Sequence, residues 1–296
     1  MFALDIEQPW KLTAQQDNRL RLGSFRFTLD LDGTGLEMRW HEGEEGQRWP
    51  LVEAKPLINQ CADIASMQTF PMQFKQFFGL PMHGSLAYPL HCWYQTTFFV
   101  EQIPLVCKLA MDEDAIGGSY VLYLNGKKIT AHDFVPVFHY GYQQQACDIQ
   151  YILKQGRNHL AIHVEARQDE DGVSDPLYLA GPFGVSFAAG RVPAIGKPPE
   201  AGIPQSGIQQ GYPYFAGTLC FTREVSIETV PHEAIGSQSW AIHLRGQFML
   251  LSRVLKRKGG LANTGHNSTD IPLATSIVCR IHQSQSHLLR VTALSE

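Results

Sequence analysis

Residues 120–129 read Tyr120-Val121-Leu122-Tyr123-Leu124-Asn125-Gly126-Lys127-Lys128-Ile129. An Asn-Gly pair between two strand-like runs is the strongest short signal for a β-hairpin. A type I′ turn needs positive φ at both central positions, and Asn followed by Gly meets that need at least steric cost. Lys154-Gln155-Gly156-Arg157-Asn158 reads as a second turn, with Gly156 suited to left-handed backbone. Period-two alternation surrounds both turns. Leu160, Ile162 and Val164 face one way, with Ala161, His163 and Glu165 on the other side. Phe25, Phe27, Leu29 and Leu31 alternate with Arg26, Thr28, Asp30 and Asp32, and Asp32-Gly33 marks a turn. The pattern returns at Leu219, Phe221, Val225 and Ile227, at Trp240, Ile242 and Leu244, and at Leu289, Val291 and Ala293. Such spacing predicts half-buried strands. No segment carries a long apolar stripe of period 3.6, and 26 glycines and 17 prolines supply turns. The expected class is all-β and mainly antiparallel, as two jelly-roll-like sandwiches of the galactose-binding-domain type.

A chain of 296 residues suggests about two domains. Hydrophobic residues at 44% and charged residues at 18% provide for a packed core and exclude a disordered chain. A net charge of -4, from 24 basic and 28 acidic residues, gives no reason to expect nucleic acid. The one concentrated basic stretch, Arg253 with Lys256, Arg257 and Lys258, reads as a solvated turn. No apolar run approaches the roughly 18 residues of a membrane helix, so no membrane partner is expected. The N-terminus has acids where a signal peptide would carry a basic and then an apolar region, so the expected location is cytoplasmic. Cys61, Cys92, Cys107, Cys147, Cys220 and Cys279 form no CxxC pair and read as reduced, mostly buried thiols. Asn267-Ser268-Thr269 fits a glycosylation acceptor, which has meaning only in a secreted chain.

Residues 188–210 combine Ala, Gly and Pro with few apolar anchors and read as a linker. That places a first sandwich at 91–187 and a second, smaller or diverged one at 211–296. Residues 1–90 read as an early strand and an irregular segment covering the first sandwich. Their aromatic and Met-rich stretch, Met67 to Met82, suits a lid or a docking surface.

Four segments in order resemble one family. His91-Cys92-Trp93-Tyr94-Gln95-Thr96-Thr97-Phe98-Phe99-Val100 resembles a strand of the sugar-binding domains in family 2 glycoside hydrolases, and the 120–129 hairpin resembles the hairpin of those domains. Cys147 to Ile162 resembles a third segment of them. Tyr178-Leu179-Ala180-Gly181-Pro182-Phe183-Gly184-Val185, followed by Gly211-Tyr212-Pro213-Tyr214-Phe215-Ala216-Gly217, is similar to the C-terminal β-region of α-L-rhamnosidase-like glycoside hydrolases. The resemblance covers roughly residues 24 to 225. The second sandwich departs from it: no Asn-Gly hairpin is evident there, and Lys258-Gly259-Gly260 stands in its place. The resemblance implies enzymes that cleave glycosides with two carboxylates on a separate barrel. This chain has no βαβ repetition and too little length for a barrel of roughly 250 residues beside two sandwiches. No position matches the family's catalytic motif, so no catalytic residue is assigned.

The candidate sugar contact is His132-Asp133-Phe134-Val135-Pro136-Val137-Phe138-His139-Tyr140-Gly141-Tyr142. Sugar sites combine an aromatic face for C–H packing with planar polar groups for hydroxyls. Here Tyr140 and Tyr142 supply the first and His132 and Asp133 the second. Trp93 and Tyr94 sit within a strand and are expected in or near the core. The acidic clusters are Glu42, Glu44 and Glu45; Asp112, Glu113 and Asp114; and Asp169, Glu170 and Asp171. They read as solvated turns, with Asp169, Asp171 and Asp175 as calcium candidates because calcium takes hard oxygen ligands. His159, His163 and Glu165 share one strand face, and His132, Asp133 and His139 one loop, but neither has zinc spacing. No cofactor is expected beyond a structural calcium. There is no G-x-S-x-G elbow, P-loop or G-x-G-x-x-G.

Three functions fit. The first is a non-catalytic carbohydrate-binding or ancillary module, partnered by a carbohydrate or by a glycosidase catalytic domain. The second is a scaffold derived from a sugar-binding sandwich. The third is a glycoside hydrolase whose carboxylate pair, for example Asp133 with an acid of 169–175, would stand about 5–10 Å apart.

Overall fold

The computed structural model describes residues 8–43, 48–54, 58, 60–62, 86–139, 142–187, 192–203, 210–227, 238–244, 247–253, 275–283 and 289–294. Tyr140, the whole of Met67–Met82, Lys258-Gly259-Gly260 and Asn267 are among the residues outside this set. The strands are, in order, β1 (Trp10–Ala14), β2 (Asn18–Leu22), β3 (Ser24–Asp30), β4 (Leu51–Glu53), β5 (Leu90–Val100), β6 (Lys108–Asp112), β7 (Ile116–Gly117), β8 (Ser119–Leu124), β9 (Lys127–Ile129), β10 (Val135–His139) and β11 (Tyr142–Asp148). They continue as β12 (Gly156–Ala166), β13 (Gly172–Val173), β14 (Leu177–Gly181), β15 (Gly184–Phe187), β16 (Pro193–Gly196), β17 (Ala201–Gly202), β18 (Leu219–Ile227), β19 (Gln238–Leu244), β20 (Gln247–Arg253), β21 (Thr275–Gln283) and β22 (Leu289–Leu294). Among the described residues, pairing is antiparallel except between β16 and β5. The all-β, mainly antiparallel expectation holds. No helix among the described residues is long and apolar enough to cross a membrane.

The chain forms two compact units, each discontinuous in sequence. The larger comprises Asp17–Pro198 with Gly211–Tyr214, and the smaller comprises Met1–Gln16, Pro199–Gln210 and Phe215–Glu296. This division differs from the one drawn on sequence. β1 belongs to the smaller unit and pairs with β18, Leu12 opposite Phe221, because Trp10, Leu12 and Phe221 are all buried. β2, β3 and β4 are integral strands of the larger unit, not a cover. The Pro- and Gly-rich 188–210 segment supplies β16, whose Ala194 and Ile195 are buried, and β17, which pairs with β1.

Two sheets enclose the core of the larger unit. One has the order β10-β11-β6-β14-β2; the other follows β15-β16-β5-β12-β8-β9, with β3 paired to β5 and β4 to β3. Leu20, Leu22, Leu109, Met111, Leu177 and Leu179 come from the first sheet; Phe25, Phe27, Tyr94, Phe98, Leu122, Leu160, Ile162 and Val164 come from the second. Each such side chain stabilises the fold by about 1.5–3 kcal/mol when fully buried. The smaller unit contains the sheet β17-β1-β18-β21-β22 and the separate hairpin β19-β20.

The two turns read from sequence are bonded to each other. Asn125 and Gly126 have φ of 53° and 81°, as a type I′ turn demands, and Gly156 has φ of 90°. The Asn125 amide donates to Ile152 O at 3.0 Å and to Asn158 Oδ1 at 2.8 Å, while its own Oδ1 accepts from His159 N at 3.1 Å. Asn158, fully buried, donates to Lys154 O at 2.7 Å and Gly156 O at 3.1 Å and accepts from Lys154 N at 2.9 Å. One side chain thus satisfies most of a buried turn that would otherwise leave its backbone groups unpaired.

Asp30 departs from the alternation. It falls on the polar side of β3 yet is buried, because its Oδ2 accepts from Gly35 N at 2.9 Å and Trp93 Nε1 at 3.1 Å. β3 ends there, which leaves Leu31 exposed in the following turn. The 35–43 turn lies over the outer face of the eight-stranded sheet: Trp40 and Trp49 pack on Trp93 and Tyr123, and Gln95 Nε2 donates to Trp40 O at 2.6 Å. A Cβ on Gly35 would come within 2.5 Å of Trp93 Nε1 and 2.6 Å of Trp40 Cε3, so only glycine fits there.

Candidate functional site

Edge strand β9 of the larger sheet and the end of β11 in the opposing sheet border a cavity of about 220 Å³. Its lining is Lys128, Ile129, Asp133, Cys147, Asp148 and Tyr151. Strand alternation explains the arrangement. Ile129 and Cys147 point inward and are buried, whereas Lys128 and Asp148, their neighbours in sequence, are exposed. Tyr151 follows β11 in a turn whose Ile149, Ile152 and Leu153 are buried, leaving its own ring 69% exposed. The cavity therefore has an apolar floor, one ammonium, two carboxylates and one open aromatic face.

Asp133 is anchored by its own turn. Its Oδ2 accepts from Thr130 N at 2.7 Å and from Thr130 Oγ1 at 2.8 Å. These hydrogen bonds, the backbone one foremost, hold its pKa below the ordinary carboxylate value. The group stays ionised, opposite to what a glycosidase general acid requires. Cys147 is inert for the converse reason: burial, then the charges of Asp133 and Asp148, push its thiol up to about 12.

Of the four residues selected on sequence, the three described do not line one pocket. His132 is exposed beside Asp133. Tyr142 is 75% exposed but pairs with His139, at the far end of the β10–β11 hairpin from Val135 and Ala146. Four residue steps of strand span about 14 Å. Tyr140 lies outside the described residues. The aromatic that does share the Asp133 cavity is Tyr151, which lies beyond the 132–142 loop; its signal in the sequence is a tyrosine three residues after Asp148 and just before the Gly156 turn.

Two of the three calcium candidates serve local structure. Asp171 is buried and its Oδ2 accepts from Arg167 N at 2.7 Å and Gln168 N at 3.3 Å; Asp169 Oδ1 accepts from Tyr88 OH at 3.1 Å; Asp175 is exposed. Among the described residues, no group of three or more His, Cys, Asp or Glu side chains is placed to hold a metal ion.

A second polar and aromatic cluster lies on the outer face of the eight-stranded sheet. His163 stacks on Trp93 at 4.6 Å and on His91 at 5.1 Å, and Trp93 stacks on Tyr123 at 6.1 Å. His159 shares this face but is 92% buried under Gly43: its exposure is 8%, and a Cβ on Gly43 would stand 3.0 Å from its Cγ. Neither ring nitrogen of His159 has a hydrogen-bond partner. Burial, and secondarily Arg157, lower its pKa to about 4.

No protein-family model matches the chain, and no curated protein matches its sequence. Solved structures of a β-glucuronidase from Ruminococcus gnavus are similar to it at low level. The complex with D-glucuronic acid aligns at 12% identity and a TM-score of 0.39, covering 100% of this chain and 46% of that one. The complex with D-glucaro 1,5-lactone aligns at 12% identity and a TM-score of 0.40, covering 96% and 46%. This chain thus spans less than half the length of the glucuronidase it matches, and likeness at this level assigns it neither family nor activity.

Proposed function

We propose that the protein is a non-catalytic carbohydrate-binding or ancillary module, related to the β-sandwich region of α-L-rhamnosidase-like glycoside hydrolases, and that it binds glycan at the Tyr151 cavity. The observation that carries this reading is the composition of that cavity. An exposed tyrosine face beside Lys128, Asp133 and Asp148 offers the stacking surface and the planar acceptors that a pyranose ring uses. The four ordered sequence segments support the same reading, and two of them hold the Asn125–Asn158 clasp that shapes the neighbouring turns. The carbohydrate, or a catalytic domain of a glycosidase, is the partner. The lowered pKa of Asp133 suits the ionised carboxylate of a pair and not its general acid, so the hydrolase alternative needs its acid elsewhere.

Retention on immobilised glycans by affinity electrophoresis tests the site. Tyr151→Ala should abolish retention while leaving the circular dichroism spectrum intact. Tyr142→Ala should leave retention unchanged, and a loss there in place of Tyr151→Ala would move the site to the hairpin tip.

A further inference from the structure

The outer face of the eight-stranded sheet carries a feature that sugar binding at the Tyr151 cavity does not use. His91 and His163 stand on β5 and β12, their rings 5.1 Å apart and within 17° of parallel. His163 also stacks on Trp93, at 4.6 Å and 29°. Trp93 in turn meets Trp40 edge-on at 6.2 Å, and Trp40 meets Trp49 at 5.1 Å. The ring series runs from the histidine pair to the turn that covers this face. His91 Nδ1 is buried without a hydrogen-bond partner.

The charges around the pair come from each neighbouring element. Asp30 of β3 and Glu165 of β12 both stand opposite His91 in register. Arg167 lies 3.9 Å from the Glu165 carboxylate. Val121 of β8, opposite His163, is uncharged. The 35–43 turn brings His41, whose ring packs on Tyr123, whereas Glu42, paired with Arg39, lies at the Gly126 turn away from the pair. Much of this compensation is already engaged: Asp30 Oδ2 is held by Trp93 and Gly35, and Glu165 has Arg167 beside it. Asp30 and Glu165 favour the charged form of His163. A second proton on the pair sets two cations face to face in a half-buried site.

We infer that the His91–His163 stack is an acid-sensitive latch: it stays closed with at most one proton, and it parts when both imidazoles are charged, loosening the Trp93–Trp40 contact that holds the covering turn. The two rings then titrate as one coupled system with two macroscopic steps. At 5.1 Å, repulsion weakens the second proton about 4-fold in fully water-like surroundings and on the order of 200-fold at the effective dielectric of a partly buried site. Burial, and after it the His91 charge, already lower the pKa of His163, against the opposite pull of Asp30 and Glu165.

The test uses the full chain with 13C-labelled histidine. NMR titration from pH 8 to 4.5 follows His91 and His163, and near-UV circular dichroism follows the tryptophans. Two separated steps are expected, with the tryptophan signal changing at the second. His91→Phe keeps a ring in the stack but cannot take a charge. In that variant His163 should titrate in one step at a higher midpoint, and the acid change in the tryptophan signal should disappear; His91→Gln serves as the second variant if the phenyl ring disturbs the fold. Independent single-step titrations in the wild type overturn the inference. So does a His163 midpoint unmoved by either substitution, and so does coupled titration with a constant tryptophan signal.

Discussion

Replacing His159 should make the protein less sensitive to acid without weakening it at neutral pH. The imidazole sits on β12 beneath Gly43, with both nitrogens buried and unpartnered, and its pKa falls from 6.5 to about 4. The unfolded chain therefore takes up a proton near pH 6.5 that the folded chain refuses until about pH 4. Between those values the unfolded state binds more protons, so stability falls as pH falls, and it levels off below the folded pKa. At about 1.4 kcal/mol per tenfold change, the full loss is about 3 kcal/mol, of which about 2 kcal/mol is reached between pH 7 and pH 5. At pH 7 the neutral ring still buries a donor and an acceptor without partners, a cost that an apolar side chain of similar volume avoids. His159→Leu is thus expected to match or exceed the wild type in urea denaturation at pH 7. Its loss of stability on going to pH 5 should be about 2 kcal/mol smaller than that of the wild type. His163 and the carboxylates contribute equally to both proteins and drop out of the difference. Identical pH dependence in the two proteins would refute the reasoning, as would a His159 NMR resonance titrating near 6.5.

Other consequences are accessible to simple assays. Asn158→Leu removes the partner of Lys154 N, Lys154 O, Gly156 O and Asn125 Nδ2, and chemical denaturation should show a loss of about 3–5 kcal/mol, in line with several buried polar groups left unpaired. Gly35→Ala should lower the melting temperature and enhance access of acrylamide to the tryptophans, because its Cβ meets Trp93 and Trp40. Cys107 and Cys147, whose thiols burial pushes up to about 12, should resist iodoacetamide at pH 8 until the protein is unfolded, as mass spectrometry of digests will show.

The local signals in the sequence translated directly. Asn125-Gly126 and Gly156 set φ by sterics alone, so their turns formed where the residues said they would. Phe25 and Phe27, and Leu160, Ile162 and Val164, went to the core as period two required. The misreadings have long-range causes. β1 finds its partner β18 about two hundred residues away, which no local pattern reports. Asp30 is buried because a tryptophan two strands' worth of sequence later donates to it, and the covering 35–43 turn then hides Trp93 on what is otherwise an outer face. For the candidate site, closeness in sequence misled: residues 132–142 look like one loop, but β10 is extended and carries His139 and Tyr142 away from Asp133. Tyr151 reaches the same cavity from the next turn along the chain.

The central claim is binding of carbohydrate without chemistry, and the purified full chain tests it most directly on a glycan array run beside hydrolysis assays with aryl rhamnosides and galactosides. The account expects glycan binding that Tyr151→Ala removes, with no release of aryl alcohol. Turnover of an aryl glycoside, or the absence of binding to any glycan on the array, would contradict it.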